Sequence, residues 1–409
     1  MYRTKLWIIG LGLWSGLVAA QTAYDLKDLE NLASESSPAL QAAREQVRAS
    51  ESAIRSASAI PNPEVEYLKG STKARSPGTN TGNTDSVSVT QPLDLIQRFP
   101  RIGAAEAGYA ASQANYRVVQ AEWLARLRLR YYEVLRRESE WRNAKEDLKL
   151  IQGVNSRIRT RVDSGDAARF ELIKSEAEML NVQKNVQAAS ARVAHARLQL
   201  RQAVGAALPE NFQLTGQLQN VPELPPIETM REALAGDNPS IARARAEVQR
   251  AEQQLSYEKA QRLPSLALKA TQTTDPDTRS TMGGVVVSVP LWDWRRGPVG
   301  EASAQLARAR NELRDQEFSV AQGLEMAYQQ YEIALSQVAA LEGGIVRQAE
   351  AALKVAEAAY RFGERGFIEV LDAQRVYRAA RAELTIARYE LAAAWVEFEK
   401  LRAQSGESK

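Results

Sequence analysis

The chain has 409 residues, no cysteine, one histidine and a formal net charge of +3. These counts exclude a disulfide framework, a thiolate nucleophile and a Cys/His metal centre, and the scattered, nearly balanced acids and bases exclude nucleic acid as a partner. Aromatic residues make up only 7%, so the composition favours long helices over thick cores.

Arg3 and Lys5 precede an apolar run, Leu6 to Val18, followed by Ala19 and Ala20, so residues 1–20 read as a secretory signal peptide. An uncleaved anchor is the alternative, but 13 residues are short for a bilayer span. Ser37-Pro38 opens a helix that Pro61-Asn62-Pro63 stops. Two alternating stretches follow, over about 63–70 and 85–93, separated by a polar loop; they are expected to form a β-hairpin. Between Pro100 and Pro209 there is no proline. Helical spacing (Leu124, Leu127, Tyr131, Val134, Trp141, Leu148) runs through that stretch, and a helix over 101–152 would be about 78 Å long. Gly165 marks a turn. A returning helix then places Ser175, Met179, Val182, Val186, Ala189, Val193, Ala196 and Leu200 on one heptad seam.

A proline-rich link occupies 208–236, and then the order recurs. Asp237-Asn238-Pro239 opens a helix closed by Leu263-Pro264, and Pro239 and Pro264 stand as far apart as Pro38 and Pro63. Strands are expected at about 264–272 and 282–291, and after Pro298 no proline remains. Gly363 marks the second far turn. Ala373, Tyr377, Ala380, Leu384, Ala387, Leu391, Ala394 and Phe398 repeat the first seam 198 positions on. The chain therefore reads as a tandem duplication: a first repeat over 21–207, the link, a second repeat over 237–403, and a short polar tail over 404–409. Four strands cannot close a barrel alone. Either they form a small open sheet, or several chains pool them.

Helix, hairpin, long helix and returning helix, given twice after a signal peptide, resemble the TolC-type outer-membrane efflux channel family across the mature chain. The most specific local match is Tyr360, Gly363, Arg365 and the run Glu369-Val370-Leu371-Asp372-Ala373. The Pro61-Asn62-Pro63-Glu64 strand entry and Gln91-Pro92-Leu93-Asp94-Leu95 are similar to the branch that exports cobalt, zinc and cadmium, the CzcC-like channels. The resemblance implies a mainly α fold with membrane β structure. In it, long antiparallel coiled-coil helices carry two β-hairpins per chain, and a homotrimer closes a twelve-strand barrel continued by a periplasmic α-helical barrel. It also implies outer-membrane lipid around the barrel, a periplasmic adaptor (membrane fusion) protein, and an inner-membrane RND pump. Within that frame an exit duct for heavy-metal cations is the leading function. A drug or type I secretion channel is the alternative. From another class comes a secreted coiled-coil scaffold without a pore. No nucleophile–base pair or phosphate loop points to an enzyme, and no cofactor is expected.

Read alone, Glu369 and Asp372 are first-turn acids favoured by the helix dipole; the resemblance makes them the pore constriction, two acidic rings selecting cations. It likewise implies a gate latch in which Tyr360 and Arg365 bond Glu171. Lys174, at the place of Asp372 in the first repeat, would pair with Glu171 or with an acid across the pore. Gly165 and Gly363 would be adaptor-docking tips, or simply helix-ending glycines. Acids follow both glycines, and Phe170 stands where the family has a small hydroxylated residue; both depart from the family pattern. His195 has no second ligand nearby, and the five methionines form no cluster, so no metal site is expected. Arg98, Arg101, Arg295 and Arg296 would cap helices or meet headgroups, and Trp292 and Trp294 would sit in an interface belt or a core.

Overall fold

The computed structural model describes residues 23–402 except 74, 76, 79, 220 and 228–237. The signal peptide, the tail, Asp237 and part of the inter-repeat link lie outside the described residues. β1 (Ala23–Tyr24) is followed by α1 (Leu26–Ser36), which starts on a capping box: Asp25 accepts from the Asp28 amide at 2.7 Å, and Asp28 accepts from the Asp25 amide at 3.1 Å. α2 (Pro38–Ser58) has proline in its first turn, where a missing N–H costs nothing. Its last carbonyls are taken by arginines of the next long helix: Arg98 donates to Ser58 O, and Arg101 to Ala57 O and Ala59 O. Both arginines are helix caps.

β2 (Glu64–Thr72) and β3 (Gly82–Leu93) form the first hairpin, and β5 (Ser265–Thr274) and β6 (Arg279–Ser288) the second. The hairpins do not stand apart. β3 pairs with β5, giving one four-stranded antiparallel sheet in the order β2-β3-β5-β6. Directly opposed residues share a face in such a ladder, so the register sorts the side chains. Val65, Tyr67, Val87, Val89, Leu93, Leu266, Leu268, Ala270, Val285 and Val287 lie on one face. Glu64, Glu66, Ser86, Ser88, Thr90, Lys269 and Thr271 lie on the other. There Lys269 pairs with Glu66 at 3.5 Å, and the Ser88 hydroxyl donates to Glu66. Among the described residues both outer strands, β2 and β6, have unpaired edges.

Below the sheet α3 (Arg98–Asp163) runs 66 residues without a break, about 99 Å, longer than the sequence pattern predicts. α4 (Arg169–Val204) returns along it. β4 (Gln213–Leu214), in the link, pairs in parallel with β1. In the second repeat α5 (Pro239–Ala260) precedes the sheet strands, α6 (Arg296–Ala340) descends, a π turn occupies Leu341–Ile345, α7 (Val346–Arg361) completes the descent, and α8 (Phe367–Arg402) returns. α6, the π turn and α7 form one continuous helical path. The π turn contains Gly343 and Gly344, each about 1 kcal/mol poorer than alanine in a helix interior.

Side by side, the upper helices run α2-α3-α5-α6 and the lower ones α4-α3-α8-α7. The chain is thus a panel of side-by-side elements. One edge is β2, α2 and α4; the other is β6, α6 and α7. The largest core lies at mid-height, where Leu29, Leu40, Leu127, Val134, Leu200, Leu208, Phe212 and Val396 meet. Gly216 of the link lies against Tyr131 so closely that a Cβ there would be 1.7 Å from the phenolic oxygen. That position admits only glycine.

On the returning helices the heptad seams are buried at Ser175, Val182, Ala189, Val193, Ala196 and Leu200, and at Ala380, Leu384, Ala387, Leu391, Ala394 and Phe398. α8 buries a second stripe two residues earlier. Leu371, Thr385, Ala392 and Val396 lie on it, and Thr385 accepts from Asn143 of α3 at 3.3 Å. On α4 the matching stripe is bare, with Ile173, Leu180 and Leu198 about 60% exposed.

Candidate gate at the helical tips

Each helical hairpin reverses through the same turn. α3 ends at Asp163 and α7 at Arg361; Gly165 (φ +82°) and Gly363 (φ +76°) take the left-handed conformation that glycine tolerates best. The next amides then reach back across the turn, Asp166 N to Arg161 O at 2.7 Å and Glu364 N to Ala359 O at 2.9 Å, which satisfies terminal carbonyls.

Tyr360 joins the tips. Its hydroxyl donates to Glu171 Oε2 at 3.1 Å, its carbonyl accepts from Arg161 at 3.3 Å, and the Arg161 guanidinium stacks 4.9 Å from its ring centre. Tyr360 is buried with Ile151, Ile158, Phe367, Val370 and Leu371. Burial, reinforced by the Glu171 carboxylate, raises its phenol pKa, so it remains a donor. Arg161 is a participant that the sequence pattern did not single out; its one cue is its place in the last turn before Gly165.

Arg365 is wired differently from the sequence expectation. It pairs with Glu369 on its own side of the turn, in an i,i+4 arrangement, rather than with Glu171. The physical reason is proximity: Glu369 lies one helical turn away, whereas Tyr360 already occupies a Glu171 oxygen. Lys174 does not pair with Glu171 either, and its ammonium lies 5.3 Å from the Phe170 ring centre. Both side chains are exposed. Glu369 and Asp372 are exposed on the first turns of α8, three residues apart on one helical side.

Above the tips a polar layer ties α8 to the first repeat. Arg378 pairs with Glu178 of α4 at 2.7 Å, and Arg381 pairs with Glu146 and Asp147 of α3. Burial raises the Asp147 pKa, an effect opposed by Arg381 and Arg378. Leu180 and Gln183 stand where Arg378 and Arg381 would fall in the first repeat, so this layer belongs to one seam alone.

His195 contacts Gln199 at 3.0 Å, and among the described residues no group of three or more His, Cys, Asp or Glu could hold a metal ion. Among the same residues no helix is long and apolar enough to cross a membrane. The apolar sheet face is the surface suited to lipid. Below it Trp292 is 95% exposed and Trp294 is 54% exposed, so neither packs in the core of this chain. Arg295 pairs with Glu258.

The sequence matches the outer membrane efflux protein family over residues 29–206 and 230–404. It is 26% identical over 354 residues to the cobalt-zinc-cadmium resistance protein CzcC of Cupriavidus metallidurans, covering 86% of this chain and 83% of the relative. To the nickel-cobalt-cadmium resistance protein NccC of Alcaligenes xylosoxydans it is 25% identical over 270 residues, covering 65% and 61%. Among solved structures, the CusC channel superposes with a TM-score of 0.78 over 93% of this chain and 92% of that one, at 16% identity, a likeness of fold.

Proposed function

The chain belongs to the outer membrane efflux protein family, and from that premise we propose that it is the exit duct of a tripartite export machine for heavy-metal cations. It is an outer-membrane channel of a Gram-negative cell reaching into the periplasm, and a transport duct rather than an enzyme. The observation that carries the duct reading is the four-stranded sheet, with an apolar band running across one face from Val65, Val89 and Leu93 to Val285 and Val287, a mainly polar opposite face, and both edges unpaired above helices about 99 Å long. A sheet in lipid must lose its edges. β2 and β6 run in opposite senses, so β6 of one copy can pair in antiparallel fashion with β2 of the next, and three copies give twelve strands.

The helices support the same homotrimer. The bare stripe on α4 repeats the stripe that α8 buries on α3, and α3 has its counterpart in α6 and α7 at the opposite edge of the panel. Ile173, Leu180 and Leu198 would therefore lie against a neighbour's α6 and α7. Trp292 and Trp294 would meet the headgroups of outer-membrane lipid at the base of the apolar face. The division into repeats at 21–207 and 237–403, joined by 208–236, is part of this reading.

At the tips, three copies of Glu369 and Asp372 would form the pore constriction, with Arg365 masking part of the Glu369 charge. Tyr360, Arg161 and Glu171 would hold it shut, and Lys174 would stand across from the acids. Gly165 and Gly363 would present the turns to a periplasmic adaptor that couples the duct to an inner-membrane RND pump. Metal cations as cargo rest on the likeness to CzcC and NccC, whose names state cobalt, zinc, cadmium and nickel resistance. The test is export from a strain lacking its own duct. Expression of this chain with its pump and adaptor should lower cell-associated cobalt, zinc or cadmium and leave an organic dye unaffected. Dye export without metal export would redirect the reading to the drug-channel alternative. A detergent-free folded monomer would end the channel reading altogether.

A further inference from the structure

Between mid-height and the tips the two descending helices differ in register at one place, and buried positions reveal how. Above it Trp123, Leu127 and Val134 of α3 correspond to Val320, Leu324 and Tyr331 of α6, each 197 positions on and each buried. Below it Ile151 and Asn155 correspond to Ala349 and Leu353, each 198 positions on and each buried. The π turn Leu341–Ile345 therefore absorbs one extra residue. Its glycines serve no packing purpose, since a Cβ on Gly343 or Gly344 would meet nothing within 4 Å. Copy one has Lys145 and Glu146 at those two places and a continuous α-helix.

The turn is held from two directions. Leu341 is buried in a cluster with Val338, Leu384, Ala387 and Leu391. Arg388 of α8 reaches across to Glu342 Oε1, at 2.8 Å from Nε and 2.7 Å from Nη2. The same guanidinium faces the side-chain amide of Gln219 of the inter-repeat link; with that amide turned so that its oxygen accepts, the distances are 2.9 Å from Nη1 and 3.0 Å from Nη2. Ser190 is the first-repeat counterpart of Arg388, so the clamp has no duplicate. Below the turn, α7 packs on α8 and carries Tyr360 and the Gly363 tip.

We propose that Leu341–Ile345 is the hinge of the second-repeat tip, and that Arg388, through Glu342, is the positioning residue that holds it in the closed arrangement. Interruptions of this kind are where long helices bend, and a hinge concentrated in one repeat lets α7 swing while α3 stays a rod. Arg388 acts on the gate through Glu342, about five turns of helix away from Glu369 and Asp372 rather than inside the constriction, so its effect is on opening and not on ion selectivity.

This inference rests on the channel reading, and planar-bilayer recording of the full-length purified oligomer separates the two. Arg388→Ala should raise the open fraction about three- to fivefold, the range set by losing a partly exposed ion pair, with the cation-to-anion permeability ratio unchanged. Glu342→Gln should do the same, and the double variant should add nothing further. Deleting Gly344 should make the second descent a plain α-helix in unchanged register and lower the open fraction below that of the unaltered protein. Should that deletion fail to assemble, Gly343→Ala with Gly344→Ala stiffens the turn without shortening it and should act in the same direction. Overturning results are open fractions that none of these changes moves, or additive effects of Arg388→Ala and Glu342→Gln. An unaltered protein that conducts nothing removes the exit-duct reading and the hinge together, whereas a conducting one with unresponsive variants removes the hinge alone.

Discussion

The two helical hairpins share a turn, a seam and a length, yet one is a rod and the other is jointed. α3 crosses its whole span as an uninterrupted α-helix, whereas its counterpart is split by a π turn containing two glycines. Their flanks differ as well. α8 is strapped to the first repeat through Arg378 and Arg381, and α7 through Tyr360, while the stripe of α4 that matches the one α8 buries is bare and apolar. Duplication supplied one hairpin twice; the differences between the copies assign one to be the frame and the other to be the moving part.

The comparison can be broken first at the link, which a tyrosine of each repeat contacts. Gly216→Ala should cost several kcal/mol, beyond the roughly 1–3 of ordinary overpacking, because the added Cβ would overlap the Tyr131 hydroxyl. Tyr131→Phe should restore part of that loss in a melting experiment, since the ring carbon at 2.8 Å still crowds the site. A contact of α6 with the link is looser: Tyr331 donates to Pro222 O at 3.4 Å, and Tyr331→Phe should cost only about 0.5–1 kcal/mol. Next come the turns. Gly165→Ala and Gly363→Ala should each destabilise by about 1–2 kcal/mol, and near-equality would show that the turns are equivalent even though their surroundings are not.

Alkaline unfolding probes the frame. Burial pushes the Tyr131 phenol up to about 12, so its neutral form is favoured in the fold. A raised folded pKa gives a contribution that is complete below the unfolded value of 10 and lost as pH rises through about 12. Stability should decline across that window, and Tyr131→Phe should flatten the decline. Tyr360→Phe removes the bond to Glu171 and should cost about 0.5–1.5 kcal/mol while raising open probability. The smallest effect belongs to Arg365→Ala. It should leave melting unchanged, because the pair with Glu369 is well exposed. Cation block should strengthen as the Glu369 charge is unmasked, and a weaker block would place Glu369 off the pore.

The duplication, the tip glycines and both heptad seams were legible because each depends on residue type at fixed spacing. The sheet was legible as two hairpins, but the pairing of β3 with β5 was not, since alternation marks a strand without naming its neighbour. Tyr360 and Glu171 were singled out through family resemblance and do meet. Arg365 was expected at Glu171 and in this chain pairs with Glu369: with 53 basic and 50 acidic side chains, complementary charge selects no partner, and the i,i+4 neighbour is nearest. The π turn has a cue in the sequence. Gly343-Gly344 interrupts a long helical pattern, and the change of offset between the repeats from 197 to 198 lies across it.

That shift of offset governs how the halves can be recombined. A hybrid exchanging the two descending helices has to cross over entirely above or entirely below Leu341–Ile345. Carrying one fixed alignment through that point would rotate everything beneath it by about 100°, one residue's share of a helical turn. Tyr360 would then face away from Glu171, and a protein assembled from native segments alone would lose its closing contact.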